Sequence, residues 1–174
     1  LSVKSSAPDG YTLMLATTST NAANVHMYKN PGYDPEKDFT VVGVIGSSGA
    51  FLVVPADSPH KSIGDLVAYA KANPGKLNYG SAGNGTTHHL AGELFKTMTH
   101  VDLTHIPYKG SGPATTALMG GEIAMLFSPM PPTVPLVKAG RLRALAVTTL
   151  KRSRVMRDVP TMNDTIKGFE TDNW

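Results

Sequence analysis

The chain has 174 residues, 41% of them hydrophobic and 17% charged, and a formal charge of +3, a composition that excludes an intrinsically disordered protein. No apolar run approaches the roughly 20 residues that span a bilayer as a helix, and the lack of cysteine rules out disulfides and thiolate metal sites. Seven basic residues fall between Lys138 and Arg157 with no aromatic among them, so this stretch is a solvated face and not a base-stacking nucleic-acid surface.

Taken in chain order, residues 11–17 predict a buried strand entered through the Pro8-Asp9-Gly10 turn. The polar stretch 17–21 follows, and Asp34-Pro35 starts a short helix with Asp34 as its cap. Residues 41–45 and 51–54 read as two strands, or as one strand broken at the joint 46–49. Ser62 with Asp65 resembles a capping box, and Ile63, Leu66, Val67 and Ala70 recur at helical spacing until Asn73-Pro74-Gly75 stops them. A short strand at 77–79 leads through a glycine-rich loop, 80–87, into a helix with Leu90, Ala91, Leu94, Phe95 and Met98 on one face. Strands at 103–108, 123–127 and 142–148 then alternate with helices at 113–119 and 131–139. This alternation predicts an α/β fold with a mostly parallel sheet covered on both faces. A chain that opens on Leu1 in place of methionine reads as processed or truncated.

In such sheets ligands bind outside the carboxyl ends of the strands, so the loops there are the candidate sites. In the loop 80–87 the glycines allow close backbone approach, while Ser81, Asn84, Thr86 and Thr87 supply neutral hydrogen-bond groups. The following helix N-terminus suits an anion, and without a Walker lysine a small carboxylate fits better than a nucleotide. The alternative is a purely structural strand-to-helix turn. Lys109 is placed to neutralise a carboxylate and Tyr108 to close over it, although an exposed turn lysine is the commoner case. Phe127-Ser128-Pro129 and residues 17–21 occupy equivalent strand ends. His89 and Glu93 share a helix face, yet the two-histidine metalloprotease spacing is absent. His89 therefore reads as a ligand-facing or capping residue, with no metal and no cofactor expected. No nucleophile elbow occurs and no catalytic set can be assigned by spacing.

Residues 7–13 (APDGYTL), the loop 80–87 with His89, residues 105–110 (HIPYKG), 140–148 (GRLRALAVT) and 158–161 (DVPT) together resemble the Bug-type receptors of tripartite tricarboxylate transporters. The resemblance runs in order along nearly the whole chain. It implies a periplasmic binding protein of type II, with two lobes that close on a hinge around a small organic acid. Residues 1–48 then belong to part of the first lobe, and residues 49–174 form the second lobe with its hinge crossings near 47–50 and 171–174. On this view Ser81, Gly83, Asn84, Gly85, Thr86 and Thr87 form the second lobe's carboxylate loop, and Tyr108, Lys109 and Gly110 line the distal side. Thr18, Ser19 and Thr20 belong to the first lobe. Family chains extend further at both ends, so the chain is expected to be a fragment. Arg154 and Arg157 stand where prolines are usual, and His100 where a helix-ending glycine is common.

The implied partners are the organic acid and the membrane components of such a transporter, in the periplasm, with no nucleic acid. Two other classes stay open: an α/β enzyme acting on a small carboxylate, and the effector-binding module of a transcription regulator, which would carry a DNA-binding segment upstream.

Overall fold

A computed structural model describes residues 2–174, and its sheet is organised around β1 (Ala50–Pro55). Phe51, Leu52, Val53 and Val54 are all buried because both faces of this strand are covered. The pleat sends Phe51 and Val53 into one core cluster with Leu118, Ile123 and Leu126. It sends Leu52 and Val54 into another with Tyr79, Phe95, Phe127 and Phe169.

Four more strands, β2 (Leu77–Ser81), β3 (Leu103–Pro107), β4 (Met125–Pro129) and β5 (Leu142–Val147), complete a five-stranded sheet in the order β3-β2-β4-β1-β5. β2 runs parallel to β3 and β4, but β1 is antiparallel to both β4 and β5. The mostly parallel sheet expected from the alternation is corrected to a mixed one, with one reversed strand at its most buried position. No period-based signal separates a buried parallel strand from a buried antiparallel one.

Residues Ser19–Ala23, wound with π-type spacing, run on into α1 (Asn24–Met27). α2 (Ile63–Ala72), α3 (Thr87–Thr99) and the short α6 (Met162–Thr165) pack on one sheet face, and α4 (Ser111–Met119) and α5 (Met130–Lys138) on the other. The caps follow the sequence closely. Ser62 accepts the Asp65 N–H at 3.1 Å, while the Asp65 carboxylate reaches back to the Lys61 N–H at 3.0 Å. The sequence reading omitted α6, although Thr161 and Asp164 form a full reciprocal capping box.

Three other expectations change. Residues 11–17 form no strand and pair with none, and Tyr11, Leu13 and Leu15 are exposed. The same holds for 41–45, where Val41, Val42, Val44 and Ile45 are exposed. An apolar run becomes a buried strand only where a ladder and a covering layer exist, and neither is present there among the described residues. At Asp34 the expected helix is a single turn: the carboxylate accepts the Glu36 and Lys37 N–H groups and the turn goes no further.

The pairing register determines where the loops meet. Ala50 pairs with Pro129 and Phe51 with Val147, so the start of β1 lies beside the ends of β4 and β5. Ser81 pairs with Pro107 at the ends of β2 and β3. One sheet edge therefore gathers the outgoing ends of four strands and the incoming end of β1. Along it Ser48 and Asn173 exchange two backbone hydrogen bonds, 2.9 and 3.1 Å. Thr148 joins both segments, its Oγ1 accepting from Ala50 N–H and donating to the Thr171 carbonyl, each at 2.9 Å.

Candidate functional site

At this edge Gly80 and Ser81 belong to β2, so the loop in front of α3 is shorter than the sequence suggested and covers 82–86. Thr86 is the N-cap of α3: its Oγ1 accepts the His89 N–H at 3.3 Å and donates to the Gly83 carbonyl at 2.7 Å. Gly85 lies at φ +75°, and a Cβ there would meet the Met27 sulfur at 2.6 Å. Glycine is thus required both by the left-handed turn and by the close approach of α1.

Helix geometry leaves the N–H groups of Thr87 and His88 without intrahelical acceptors at the positive end of α3. α4 starts the same way beyond Gly110, whose N–H donates to the Ala82 carbonyl at 3.1 Å and lashes the two loops together. α5 differs, because Pro131 and Pro132 occupy its first turn and carry no N–H. The donor capacity of the edge is therefore concentrated at α3 and α4. Exposed Lys109 adds a positive charge between them. A hollow beside α3 is walled by Ser48, Gly49, Thr87, His88, Pro129, Asp172 and Asn173. The Thr87 hydroxyl donates to Asn173 Oδ1 across it at 3.0 Å, and burial keeps His88 below the ordinary histidine pKa.

Beneath the loop lies an aromatic stack. Tyr79 and His105 stack with centroids 4.8 Å apart, and His105 and His89 at 4.2 Å. His105 Nε2 is 2.7 Å from Ser81 Oγ, and His89 Nδ1 accepts the Gly85 N–H at 3.2 Å. The Tyr79 hydroxyl donates to Glu93 at 2.6 Å, and Lys96 donates to both Glu93 oxygens. Burial, with the neighbouring His89, depresses the His105 pKa to about 4. Burial likewise lowers His89 against the opposing pull of Glu93. For Glu93 burial works upward, but the hydrogen bonds from Tyr79 and Lys96 outweigh it and leave the carboxyl below its ordinary value.

The structure separates the residues singled out from the sequence into two groups. Gly83, Asn84, Gly85, Thr86, Thr87, Lys109 and Gly110 lie together at the edge. Ser81 and Ser128 are buried with engaged hydroxyls, Ser81 with Gly83 and His105, and Ser128 with Thr133. Tyr108 packs beside Gly80 against the second core cluster and does not close over the loop. His89 faces the underside of the loop as a brace. Thr18 accepts the Trp174 N–H at 3.2 Å, Thr20 caps Thr17, and Ser19 lies between them in the π-type turn. The site residues expected from the sequence did not include His88, Thr148, Thr171 or Asn173, although 171–174 was expected as a hinge crossing. Sheet register brings them to the edge, and no local pattern marks them.

The Ser81–His105 pair has the spacing of a nucleophile and its base. Ser81 is fully buried, however, and its oxygen also bonds Gly83, so no substrate atom can reach it in this arrangement. Among the described residues no cluster of three or more histidine or acidic groups could hold a metal ion. None of the described helices is long and apolar enough to cross a membrane. The basic stretch is only partly a free face, because Arg143 clasps the carbonyls of Ala56, Ser58 and His60.

A family model described as a tripartite tricarboxylate transporter family receptor matches residues 1–174. The UPF0065 protein in gbd 5'region from Cupriavidus necator is 41% identical over 162 residues, which cover 93% of this chain and 49% of that protein. An R. palustris protein solved with adipate superposes with a TM-score of 0.94 at 41% identity, over 99% of this chain and 58% of its own. MatC from Rhodopseudomonas palustris with bound malate gives 0.89 at 29% identity, over 99% of this chain and 59% of its own. The chain spans about half the length of the curated relatives it matches.

Proposed function

The chain belongs to the family of tripartite tricarboxylate transporter receptors, and we propose that it serves in a periplasmic receptor that captures a small carboxylate for such a transporter. The observation that carries this reading is the convergence at one sheet edge of two donor-rich helix N-termini, Lys109, and the paired segments at Ser48 and Asn173. The carboxylate is held by the Thr87 and His88 N–H groups, by Asn84, and by Lys109 beside Gly110. The bound dicarboxylates of two similar structures, adipate and malate, support that ligand class.

In the same reading, residues 1–48 are part of a first lobe, residues 49–174 are the second, and the segments 47–50 and 171–174 are hinge crossings between them. Their mutual pairing supports this, since strands that cross together bend together. Thr18, bonded to Trp174, is a first-lobe group in contact with the crossing. The protein is a receptor and not an enzyme, and it hands its ligand to membrane components of the transporter. The buried Ser81 and the membership of a receptor family favour this over hydrolytic chemistry.

A thermal-shift screen against mono-, di- and tricarboxylates, aromatic acids and amino acids tests the proposal. Binding to the native state raises the melting temperature by linkage, so one or more dicarboxylates should shift it clearly. A panel without any shift, repeated by calorimetry, would refute the carboxylate reading.

A further inference from the structure

The loop before α3 is braced from below by a histidine, and the bond that braces it depends on that histidine's charge. Gly85 donates its N–H to His89 Nδ1 at 3.2 Å. A lone pair at Nδ1 exists only in the neutral ring, because the imidazolium carries a proton on both nitrogens. We propose that His89 is a positioning residue for the loop 82–86: the neutral ring locks Gly85 in place, and protonation releases it, so that carboxylate affinity falls on acidification. The affinity half of this inference rests on the carboxylate reading given above.

The surroundings of the ring bear this out. From β3, His105 stacks on it at 4.2 Å, and from β2, Tyr79 stacks on His105 in turn. From its own helix Glu93 and Lys96 face it, but Glu93 is engaged by Tyr79 and by Lys96 itself. From α1 the groups nearest Gly85 are Met27 and Asn24, which do not titrate. Two stacked imidazoles cannot both ionise without strong repulsion. Burial holds the His89 ring below the ordinary histidine value, so it is neutral near pH 7, and the first proton to enter the stack makes a second harder to add. Among the described residues Gly85 has no second hydrogen-bonded tether, whereas Gly83 is held by both Ser81 and Thr86.

Carboxylate probes titrate themselves, so the test compares two proteins that see the same probe. In His89→Asn the amide oxygen takes the place of Nδ1 and accepts without titrating. NMR follows the Gly85 amide and the His89 and His105 rings from about pH 7.5 to 4.5, while calorimetry measures adipate and malate binding to both proteins at each end of that range. The Gly85 amide should move with the His89 midpoint in the parent protein and should not titrate in His89→Asn. Probe affinities should agree within about twofold at neutral pH and differ about tenfold in favour of the variant at the acidic end, the effect of one lost hydrogen bond. A Gly85 amide that ignores His89 protonation overturns the proposal, and this readout needs no variant. Equal affinities of the two proteins at both pH values also overturn it. If the amide follows His89 but neither probe binds either protein, the brace stands and the carboxylate reading fails.

Discussion

Asn173 Oδ1 accepts the Thr87 hydroxyl at 3.0 Å, which ties the first turn of α3 by side chains to the segment that pairs with Ser48. A change in that segment therefore acts directly on the helix end proposed to hold the ligand. Thr87→Val keeps the shape and removes the donor, leaving Asn173 Oδ1 unpaired. It should destabilise the fold by about 0.5–1.5 kcal/mol and weaken carboxylate binding by no more than about tenfold. Urea unfolding and calorimetry read the two effects separately, and a variant as stable and as tight as the parent protein would remove this link.

Thr86 has a different task from its neighbour, so substituting both together would mix two effects. As the N-cap of α3 it satisfies the His89 N–H and tethers Gly83. Thr86→Ala should cost about 1 kcal/mol of stability, and Thr86→Ser should recover most of it. If alanine and serine give the same urea midpoint, the cap is not what the threonine contributes.

Gly92 controls whether Tyr79 can reach Glu93. A Cβ at Gly92 would overlap the tyrosine ring, with Cζ only 2.6 Å away. Tyr79, on β2, is fully buried in the first core cluster and stacks on His105, so its ring cannot move without disturbing its neighbours. Gly92→Ala should thus destabilise by about 1–3 kcal/mol, the usual range for overpacking, despite alanine's better helix propensity. Gly64, where only the Ser62 hydroxyl lies within 4 Å, is the control: Gly64→Ala should be neutral or stabilising. Similar losses at both sites would mean that overpacking against Tyr79 is not the cause.

These contrasts also mark the limit of what the sequence could reveal. The Ser62 cap was legible because capping is local: the hydroxyl and the Asp65 N–H it accepts lie three positions apart. Strands β2 to β5 were legible from apolar runs between turn residues, and their ends from the glycines that follow. The exposed segments 11–17 and 41–45 look the same in one dimension, since periodicity reports what a strand could bury and not whether anything covers it. The direction of β1, the burial of Ser81 and the approach of Asn173 to Thr87 depend on pairs far apart in the chain. The last two residues are 86 positions apart, and no local pattern encodes such a distance.

His105 gives the fold a particular response to acid. Its folded pKa is held near 4, chiefly by burial and then by His89, against an ordinary value of 6.5. The unfolded chain therefore takes up the proton first as the pH falls. Stability should decline progressively from about pH 6.5 and level off, for this group, below about pH 4. The carboxyls of Asp34, Asp38, Asp65 and Asp164, each held below its ordinary 3.8 mainly by hydrogen bonds, begin to add their losses near about pH 5 and continue below that window. In His105→Gln, which places an amide near the position of Nε2, unfolding free energy measured between pH 6.5 and 4 should be flatter than in the parent protein. Parallel curves would show that another group carries the acid response.

His100 ends α3 with φ +53°, the only positive φ at a non-glycine residue among those described. The left-handed turn is needed there, because it lets the Val101 N–H reach the Lys96 carbonyl at 3.4 Å and buries Val101 against the core. Holding an L-residue with a Cβ in this region costs about 1–2 kcal/mol. Glycine removes that strain but loses more chain entropy on folding, which offsets about 0.5–1 kcal/mol. The balance for His100→Gly is a gain of about 0.5–1 kcal/mol, or roughly 2–3 °C in melting temperature for a chain of this size. The substitution lies at the far end of α3 from Thr87, about 20 Å along the helix axis, so carboxylate affinity should be unchanged. His100→Ala retains the Cβ and should give none of the gain. An alanine variant as stable as the glycine variant would show that the imidazole, and not the backbone, is the source of the strain.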